Sequence, residues 1–193
     1  MLEHLNKYHV VLASNSPRRK ELLEGLGIEF EVRTMKGIDE SWPEELQGED
    51  IPKHISHKKA EAYLPTLKSD ELLITADTIV YLNGQVMGKP KDADDAKVML
   101  RMLAGRTHEV ITGVTLATRE KQTTFGVTSL VTFAELTDEE IDYYIAHYRP
   151  FDKAGAYGIQ EWIGYIGVTR LEGSYFNVMG LPVQRLYTEL RRF

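Results

Sequence analysis

The stretch VVLASNSPRRKELLEGLG, residues 10–27, predicts a strand that runs directly into a helix. The β-branched residues belong to a short buried strand over residues 8–13, which ends in small residues. Apolar Leu22, Leu23 and Leu26 then recur at helical spacing over residues 16–26. Ser16 suits the N-cap of this helix, and Pro17 suits its first position because the N–H that proline lacks is not needed there.

The rest of the chain alternates strand and helix patterns, with no repeat and no evident linker. Asp50 is the expected N-cap of the second helix, and Asn83–Gly84 predicts a type I′ hairpin. We interpret residues 35–50 as a surface loop and residues 155–173 as irregular. Further strands are expected over residues 30–33, 72–82, 109–118 and 123–134, and further helices over 51–63, 92–103, 137–147 and 182–192.

This mixture predicts an α/β fold with a mixed sheet in a single domain over residues 1–193. An elongated form with two lobes around a central cleft stays open. A second autonomous domain is not indicated.

The composition is that of a globular chain in a reducing compartment. The 193 residues are 42% hydrophobic, enough for a core, and the absence of cysteine excludes disulfides and thiolate metal sites. No apolar run approaches the ~18 residues that a membrane helix needs, and the N-terminus lacks the layout of a secretory signal. The formal net charge of −6 argues against long nucleic acid but permits a small anionic ligand. We therefore expect a cytoplasmic protein with neither a membrane nor a nucleic-acid partner.

Two cations stand where a helix disfavours them. Arg18 and Arg19 fall at the second and third helical positions, and each costs about 0.3–1 kcal/mol there. The unpaired N–H groups, the hydroxyls of Ser14 and Ser16 and both guanidinium groups would converge on one spot, which predicts an anion site, most naturally for phosphate. The alternative is that both arginines point to solvent or pair with the glutamates of the following turn.

Asp77 stands in a strand that is otherwise apolar apart from threonines. A buried carboxylate is costly unless it is paired or binds a metal. The functional interpretation is a carboxylate that holds a divalent cation or takes a proton from water. The alternative is that Thr75, Thr78 or the strand end satisfies it.

Several stretches, in this order, resemble the Maf family of nucleoside triphosphate pyrophosphatases, and together they cover nearly the whole chain. They are SNSPRRKELL (14–23), KAEA (59–62), ADTIV (76–80), GKP (88–90), GRTHEVITGV (105–114), DKAGAYGIQ (152–160) and GSYFNVMGLPV (173–183). A slight departure is Phe151, where the family often has tyrosine. The resemblance implies a Maf/ITPase-like fold and hydrolysis of the α–β phosphoanhydride bond with a divalent cation, Mg²⁺ or Mn²⁺.

The resemblance also implies roles for acidic and basic residues. Asp77 matches the family's general base, and Glu40 matches a carboxylate that acts through the metal, so both are candidate metal ligands. Lys59 and Lys89 match phosphate contacts, which adds them to Ser14, Ser16 and Arg19. From the residues alone, both lysines are surface lysines and Glu40 is a solvated carboxylate in an acidic loop.

Three positions distinguish subgroups of the family, and they are occupied here by Arg18, Thr78 and Gln160. This set resembles the subgroup that hydrolyses dTTP and UTP, whereas the 7-methyl-GTP subgroup carries an aromatic and two acidic residues. An amide offers a uracil or thymine edge both a donor and an acceptor. Two alternatives stay open. Gln160 could be a structural residue bound into the backbone turns around Gly158, and Thr78 could serve to orient Asp77.

We therefore expect a hydrolase that converts dTTP and UTP, or modified pyrimidine nucleotides, to the monophosphate and pyrophosphate. One alternative is the same chemistry on another nucleotide such as 7-methyl-GTP. The other is a non-catalytic, nucleotide-binding regulator of cell division. The family often forms dimers, so a homodimer is expected.

Overall fold

The computed structural model describes residues 2–193, in which strands and helices alternate along the chain. The strands are β1 (His9–Leu12), β2 (Phe30–Val32), β3 (Glu71–Leu82), β4 (Gln85–Met87), β5 (Thr107–Ala117), β6 (Gln122–Phe133) and β7 (Val168–Glu172). The α-helices are α1 (Pro17–Glu24), α2 (Asp50–Tyr63), α3 (Ala93–Leu103), α4 (Asp138–Tyr148), α5 (Trp162–Gly167), α6 (Tyr175–Met179) and α7 (Val183–Arg192). Short 3-10 turns lie at Glu3–Lys7, Leu64–Thr66 and Ala154–Ala156.

The strands form one mixed sheet, as the sequence predicts. Their order is β2-β1-β3-β5-β6-β7, and β4 pairs with β3. β1 runs parallel to both neighbours, with Val10 opposite Phe30 and Leu72. β4 is antiparallel to β3, and β7 is antiparallel to β6. The hairpin between β3 and β4 has φ of 51° at Asn83 and 82° at Gly84, the positive values that a type I′ turn requires.

The chain falls into two compact units. The first unit comprises Met1–Asp77, Thr112–Val127 and Gly180–Phe193, and the second comprises Thr78–Ile111 and Thr128–Met179. The assignment of residues 1–193 to one domain stays a prediction.

The core of the first unit lies between the sheet and α2. Val11, Leu73 and Ala117 pack from three strands against Ala60 and Tyr63 of α2. The 3.6-residue period of α2 supplies this face, because positions 60 and 63 recur on one side of a helix.

The beginning of α2 lies very close to the sheet, and glycines permit this approach. A Cβ atom on Gly113 of β5 would lie 2.3 Å from the carbonyl carbon and oxygen of Pro52. A Cβ atom on Gly126 of β6 would lie 2.3 Å from Cγ of Glu49. The close contact fixes which side of α2 faces the sheet, which matters for the candidate site.

The core of the second unit is formed by α3, α4 and the strands of that unit. Leu100 and Leu103 from α3, Ile141 and Tyr144 from α4, and Phe133 from β6 are almost fully buried in one cluster. The predicted start of α4 is confirmed as a capping box, in which the Thr137 and Glu140 side chains each accept from the other's backbone N–H.

Two sequence expectations were wrong in detail. Asp50 is not the N-cap of α2, since the helix begins at Asp50 itself and the N-cap is Glu49. The Asp50 carboxylate instead lies 3.1 Å from Nζ of Lys53, one turn along the helix. The segment 155–173 is not irregular throughout, because it contains α5 and β7. The glycines at 164 and 167 hide this six-residue helix from a propensity argument.

Candidate active site

The N-terminus of α1 has the cap that the sequence predicts. Ser16 is the N-cap, and its Oγ accepts from the backbone N–H of Arg19 at 3.4 Å. The Ser14 hydroxyl in turn accepts from the backbone N–H of Ser16 at 3.2 Å. The two serines therefore organise the turn that precedes the helix, and Arg18 and Arg19 occupy its second and third positions.

The Arg19 side chain is anchored to the main chain of the first unit. Its Nε donates to the carbonyl of Gly180 at 2.8 Å and its Nη1 to the carbonyl of Ala76 at 2.9 Å. Nη1 also lies 3.5 Å from Oγ of Ser14. For Arg19, these contacts are made to backbone carbonyls and not to the glutamates of the following turn, which were the alternative that the sequence left open.

Burial and neighbouring charges both act on this guanidinium. Burial lowers the pKa of Arg19, and the nearby positive charge of Arg18 lowers it further. The carboxylates of Asp77 and Glu40 act in the opposite direction. The charges of Arg18, Asp77 and Glu40 therefore all act on the Arg19 guanidinium.

Asp77 faces α2 because of the two-residue period of β3. Thr75 and Asp77 point to the same side of the strand. The Thr75 hydroxyl donates to the backbone carbonyl of Ser56 at 2.6 Å, and the Asp77 carboxylate accepts from Nζ of Lys59 at 2.9 Å. Ser56 and Lys59 are three residues apart and thus lie on one helix face. The partner of Asp77 is therefore a lysine, and the threonine alternative fails for Thr75.

Lys59 joins two carboxylates. Its Nζ lies 2.9 Å from Oδ1 of Asp77 and 3.0 Å from Oε1 of Glu40. The side chains of Lys59 and Asp77 are only 13% and 14% exposed, whereas Glu40 is 58% exposed. The two candidate metal ligands thus converge on the ammonium group of Lys59.

A second lysine of α2 fixes the loop that carries Glu40. Nζ of Lys58 lies 2.6 Å from the Asp39 carboxylate, and the Ser41 backbone N–H donates to the same carboxylate at 2.9 Å. The Lys58 ammonium, with help from Ser41, holds the pKa of Asp39 well below its usual range. Asp39, Ser41 and Lys58 were not singled out from the sequence, although an Asp two residues before a Ser is a turn signal that would have found two of them.

The second unit contains the other predicted site residues, Thr78, Lys89 and Gln160. Lys89 is exposed, and the preceding carbonyl of Gly88 accepts from the backbone N–H of Gly155 at 3.0 Å. Thr78 is half-buried. Oε1 of Gln160 is buried and accepts no hydrogen bond from any residue that the structure describes. The roles assigned to these residues stay predictions.

The donor set around Asp77 suits only a metal that takes other ligands as well. Within residues 2–193 no group of three or more His, Cys, Asp or Glu side chains is placed to hold a metal ion. Two converging carboxylates match the way Mg²⁺ is commonly held, with one or two carboxylates plus phosphate oxygens and water.

Within residues 2–193, no helix is long and apolar enough to cross a membrane.

The chain is similar to known proteins over its whole length. It is 64% identical over 192 residues to a dTTP/UTP pyrophosphatase of Phocaeicola vulgatus and 58% identical over 193 residues to one of Parabacteroides distasonis, with full coverage of both chains. A dTTP/UTP pyrophosphatase of Porphyromonas gingivalis is 55% identical over all of this chain and 98% of its own.

Among solved structures, a HAM1 protein from Coxiella burnetii matches 96% of this chain and all of its own, with a TM-score of 0.50 and 13% sequence identity. A likeness at this identity concerns the fold alone, and it agrees with the predicted ITPase-like α/β architecture. The model of the family described as Maf-like protein matches residues 9–193. The match to nearly the whole chain, together with the full-length relatives, confirms that the chain belongs to the Maf family.

Proposed function

We propose that this chain hydrolyses the α–β phosphoanhydride bond of nucleoside triphosphates, with a preference for dTTP and UTP, and releases the monophosphate and pyrophosphate. The relatives that cover its full length carry the name dTTP/UTP pyrophosphatase, at 55–64% identity. Identity at this level over complete chains supports transfer of the reaction.

The observation that carries the proposal is the convergence of Asp77, Glu40 and Lys59 on one point of the first unit, with Arg19 anchored beside Ala76. Both signs of charge are needed for this reaction. A carboxylate is required where water is activated, and cations are required where negative charge accumulates on the departing phosphates.

Asp77 acts in this proposal as the general base. It accepts a proton from a water molecule while the water oxygen forms a bond to the α-phosphorus. The bond from the α-phosphorus to the bridging oxygen breaks, and its electron pair leaves with pyrophosphate. Arg19, held in place by two carbonyls, and Lys89 stabilise the charge on that leaving group. No covalent bond to the protein forms.

Glu40 and Asp77 are the side chains that would hold a divalent cation, Mg²⁺ or Mn²⁺. When bound, the cation neutralises negative charge on the phosphate oxygens. Nζ of Lys59 lies within 3.0 Å of both carboxylates.

Gln160 is proposed to read the base, together with Arg18 and Thr78. Uracil and thymine present an N3–H donor between two carbonyl acceptors, and a primary amide offers both an acceptor and donors. The buried, unpartnered Oε1 of Gln160 supports this role because it is an acceptor that the described residues leave unused. A carboxylate at this position would lack the donors.

The test is a comparison of substrates with identified products. The purified chain is incubated with Mg²⁺ or Mn²⁺ and with dTTP, UTP, dCTP, ATP, GTP or 7-methyl-GTP, and monophosphate and pyrophosphate are measured. We expect turnover of dTTP and UTP, and a loss of at least about 100-fold in Asp77→Asn, the size typical of a lost general base. Asp70→Asn, an exposed carboxylate of the same unit, is the matched control and keeps full activity.

Release of inorganic phosphate alone, or equal turnover by Asp77→Asn, contradicts the mechanism. Gln160→Glu is expected to lower turnover of both pyrimidine substrates, and an unchanged substrate profile removes Gln160 from base selection. A chain that binds these nucleotides without turnover favours the regulatory alternative. The homodimer and the cytoplasmic location stay predictions, the first of which light scattering checks.

A further inference from the structure

A buried polar network surrounds the turn that carries Gln160. It consists of Tyr144 on α4, Lys153 and Glu161, all in the second unit, and it is called here the Tyr144 network. Tyr144 is completely buried and Lys153 is 8% exposed, while the Glu161 side chain is 19% exposed. None of the roles proposed above uses these three residues.

The contacts in the network are direct. The Tyr144 hydroxyl donates to the Glu161 carboxylate and accepts from the backbone N–H of Gly158 at 3.0 Å. The other carboxylate oxygen of Glu161 lies 3.1 Å from Nζ of Lys153. The same Nζ lies 2.8 Å from Oδ1 of Asp152. Every member is therefore satisfied by at least one strong polar contact.

The network holds both ends of a tight turn, and Gln160 lies inside that turn. The backbone N–H of Glu161 donates to the carbonyl of Gly158 at 3.0 Å, which closes the turn. Tyr144 binds the turn at Gly158 through the backbone and at Glu161 through the side chain. A shift of the turn would break both contacts, so the Gln160 backbone has little freedom.

The Gln160 side chain also lies beside the network, over Gly158. A Cβ atom built on Gly158 would lie 3.1 Å from Nε2 of Gln160, 3.0 Å from Cδ of Glu161 and 3.1 Å from Cε of Lys153. The amide, the carboxylate and the lysine stem thus crowd over one glycine. A change in the network would therefore be felt directly beside the Gln160 amide.

Stability alone is a poor reason for such an arrangement. A buried Lys–Glu pair loses solvation on folding, and apolar residues of similar volume often serve at least as well. Polar networks that are fully satisfied do, however, rigidify and orient the groups around them. The orientation of Gln160 is the property that this network is placed to control.

We propose that Tyr144, Lys153 and Glu161 are positioning residues that fix the amide of Gln160 and thereby set the selectivity for uracil- and thymine-containing triphosphates. The inference rests on the proposed function, in which Gln160 contacts the base. The three residues act through Gln160 and touch neither the phosphates nor the attacking water.

A double-mutant cycle tests this inference. Tyr144→Phe keeps the buried ring but removes the hydroxyl, and it is made in the parent chain and in Gln160→Ala. In the parent we expect kcat/KM for dTTP to fall about five- to tenfold, mainly through KM, with a smaller change for GTP. In Gln160→Ala the same substitution should change kcat/KM less than about twofold, since its effect passes through the missing amide. The control is Tyr143→Phe, which alters the adjacent, exposed tyrosine of α4 and leaves selectivity unchanged.

Equal losses in both backgrounds, or equal losses for dTTP and GTP, overturn the inference and indicate a merely structural role. If Tyr144→Phe does not fold, Glu161→Gln completes the same cycle, because it keeps the side-chain size and removes the charge that binds Lys153. Failure of the proposed function looks different: the parent chain does not turn over dTTP or UTP, or Gln160→Ala by itself leaves selectivity intact, and either result overturns the inference as well.

Discussion

Acid should weaken the fold of this protein between about pH 6.5 and pH 4 because of His108. His108 is 2% exposed, and its ring packs edge-on against Phe133 and Tyr157. Nε2 lies 2.7 Å from the Tyr157 hydroxyl, while Nδ1 is buried without a partner among residues 2–193. Protonation would place a charge in this core and an N–H where no described group accepts it, and burial lowers the pKa of His108 from 6.5 to about 4.

The size of the effect follows from this difference. Because the pKa is lower in the folded chain, the unfolded chain takes up the proton first as the pH falls. Stability is therefore complete above about pH 6.5, declines between 6.5 and 4, and loses no more from this group below about 4. At about 1.4 kcal/mol per pKa unit, the free energy of unfolding should fall by about 3 kcal/mol across this window.

Urea unfolding at a series of pH values from 8 to 4 measures this loss. His108→Phe keeps an aromatic ring but cannot titrate. Between pH 6.5 and pH 4, the free energy of unfolding of this variant should therefore fall by about 3 kcal/mol less than that of the parent. The variant should also be less stable at pH 8, since the Tyr157 hydroxyl loses its partner. Tyr157→Phe is the control, because it removes the same hydrogen bond and retains the histidine and its pH dependence. Parallel curves for the parent and His108→Phe would refute the reasoning.

The remaining predictions concern the stability of the first unit. Glu71 is 1% exposed and bound by Arg33 at 2.8 Å, which lowers the pKa of this carboxyl from 4.5 to about 2. Its contribution, about 3 kcal/mol at most, should be present above pH 4.5 and lost as the pH falls toward 2. Glu71→Gln should remove this part of the acid transition when the urea series is extended down to pH 2. Gly113→Ala should destabilise the chain by about 1–3 kcal/mol because its Cβ would meet the Pro52 backbone, whereas Gly88→Ala, with nothing within 4 Å, should leave the melting temperature nearly unchanged. A Gly113→Ala chain as stable as the parent would contradict the close approach of α2.

Local signals predicted most of the elements because each is encoded within a few residues. The strand-to-helix step at Ser16 and the capping box at Thr137 place their polar atoms as expected. The segment that was missed, 155–173, forms α5 and β7, whose stability comes from packing rather than propensity. Ile163, for example, is completely buried in the core of the second unit, and no local pattern indicates the partners that cover it.

The sequence singled out Lys59, Asp77 and Glu40, which the structure brings together, but it did not predict the contacts that the candidate site residues make. The sequence named Arg19 as a phosphate ligand, yet it gives no indication that the guanidinium bonds to carbonyls 57 and 161 residues away in the chain. Such contacts depend on where Ala76 and Gly180 lie in the fold, which residue order alone does not determine. The Tyr144 network was missed for the same reason, since its members lie on α4 and on two turns.

The meeting of Asp77 and Lys59 shows how much periodicity can determine once one contact is known. Given that Thr75 reaches Ser56, a step of two residues along β3 advances about 7 Å and keeps the same face. A step of three residues along α2 advances about 4.5 Å and also returns to nearly the same face, and the long lysine side chain spans the difference. Lys58 lies about 100° further round the helix, which is why it reaches Asp39 instead. The choice between two adjacent lysines is thus a consequence of helix geometry, and the glycine at 113, which lets α2 approach the sheet, makes it possible.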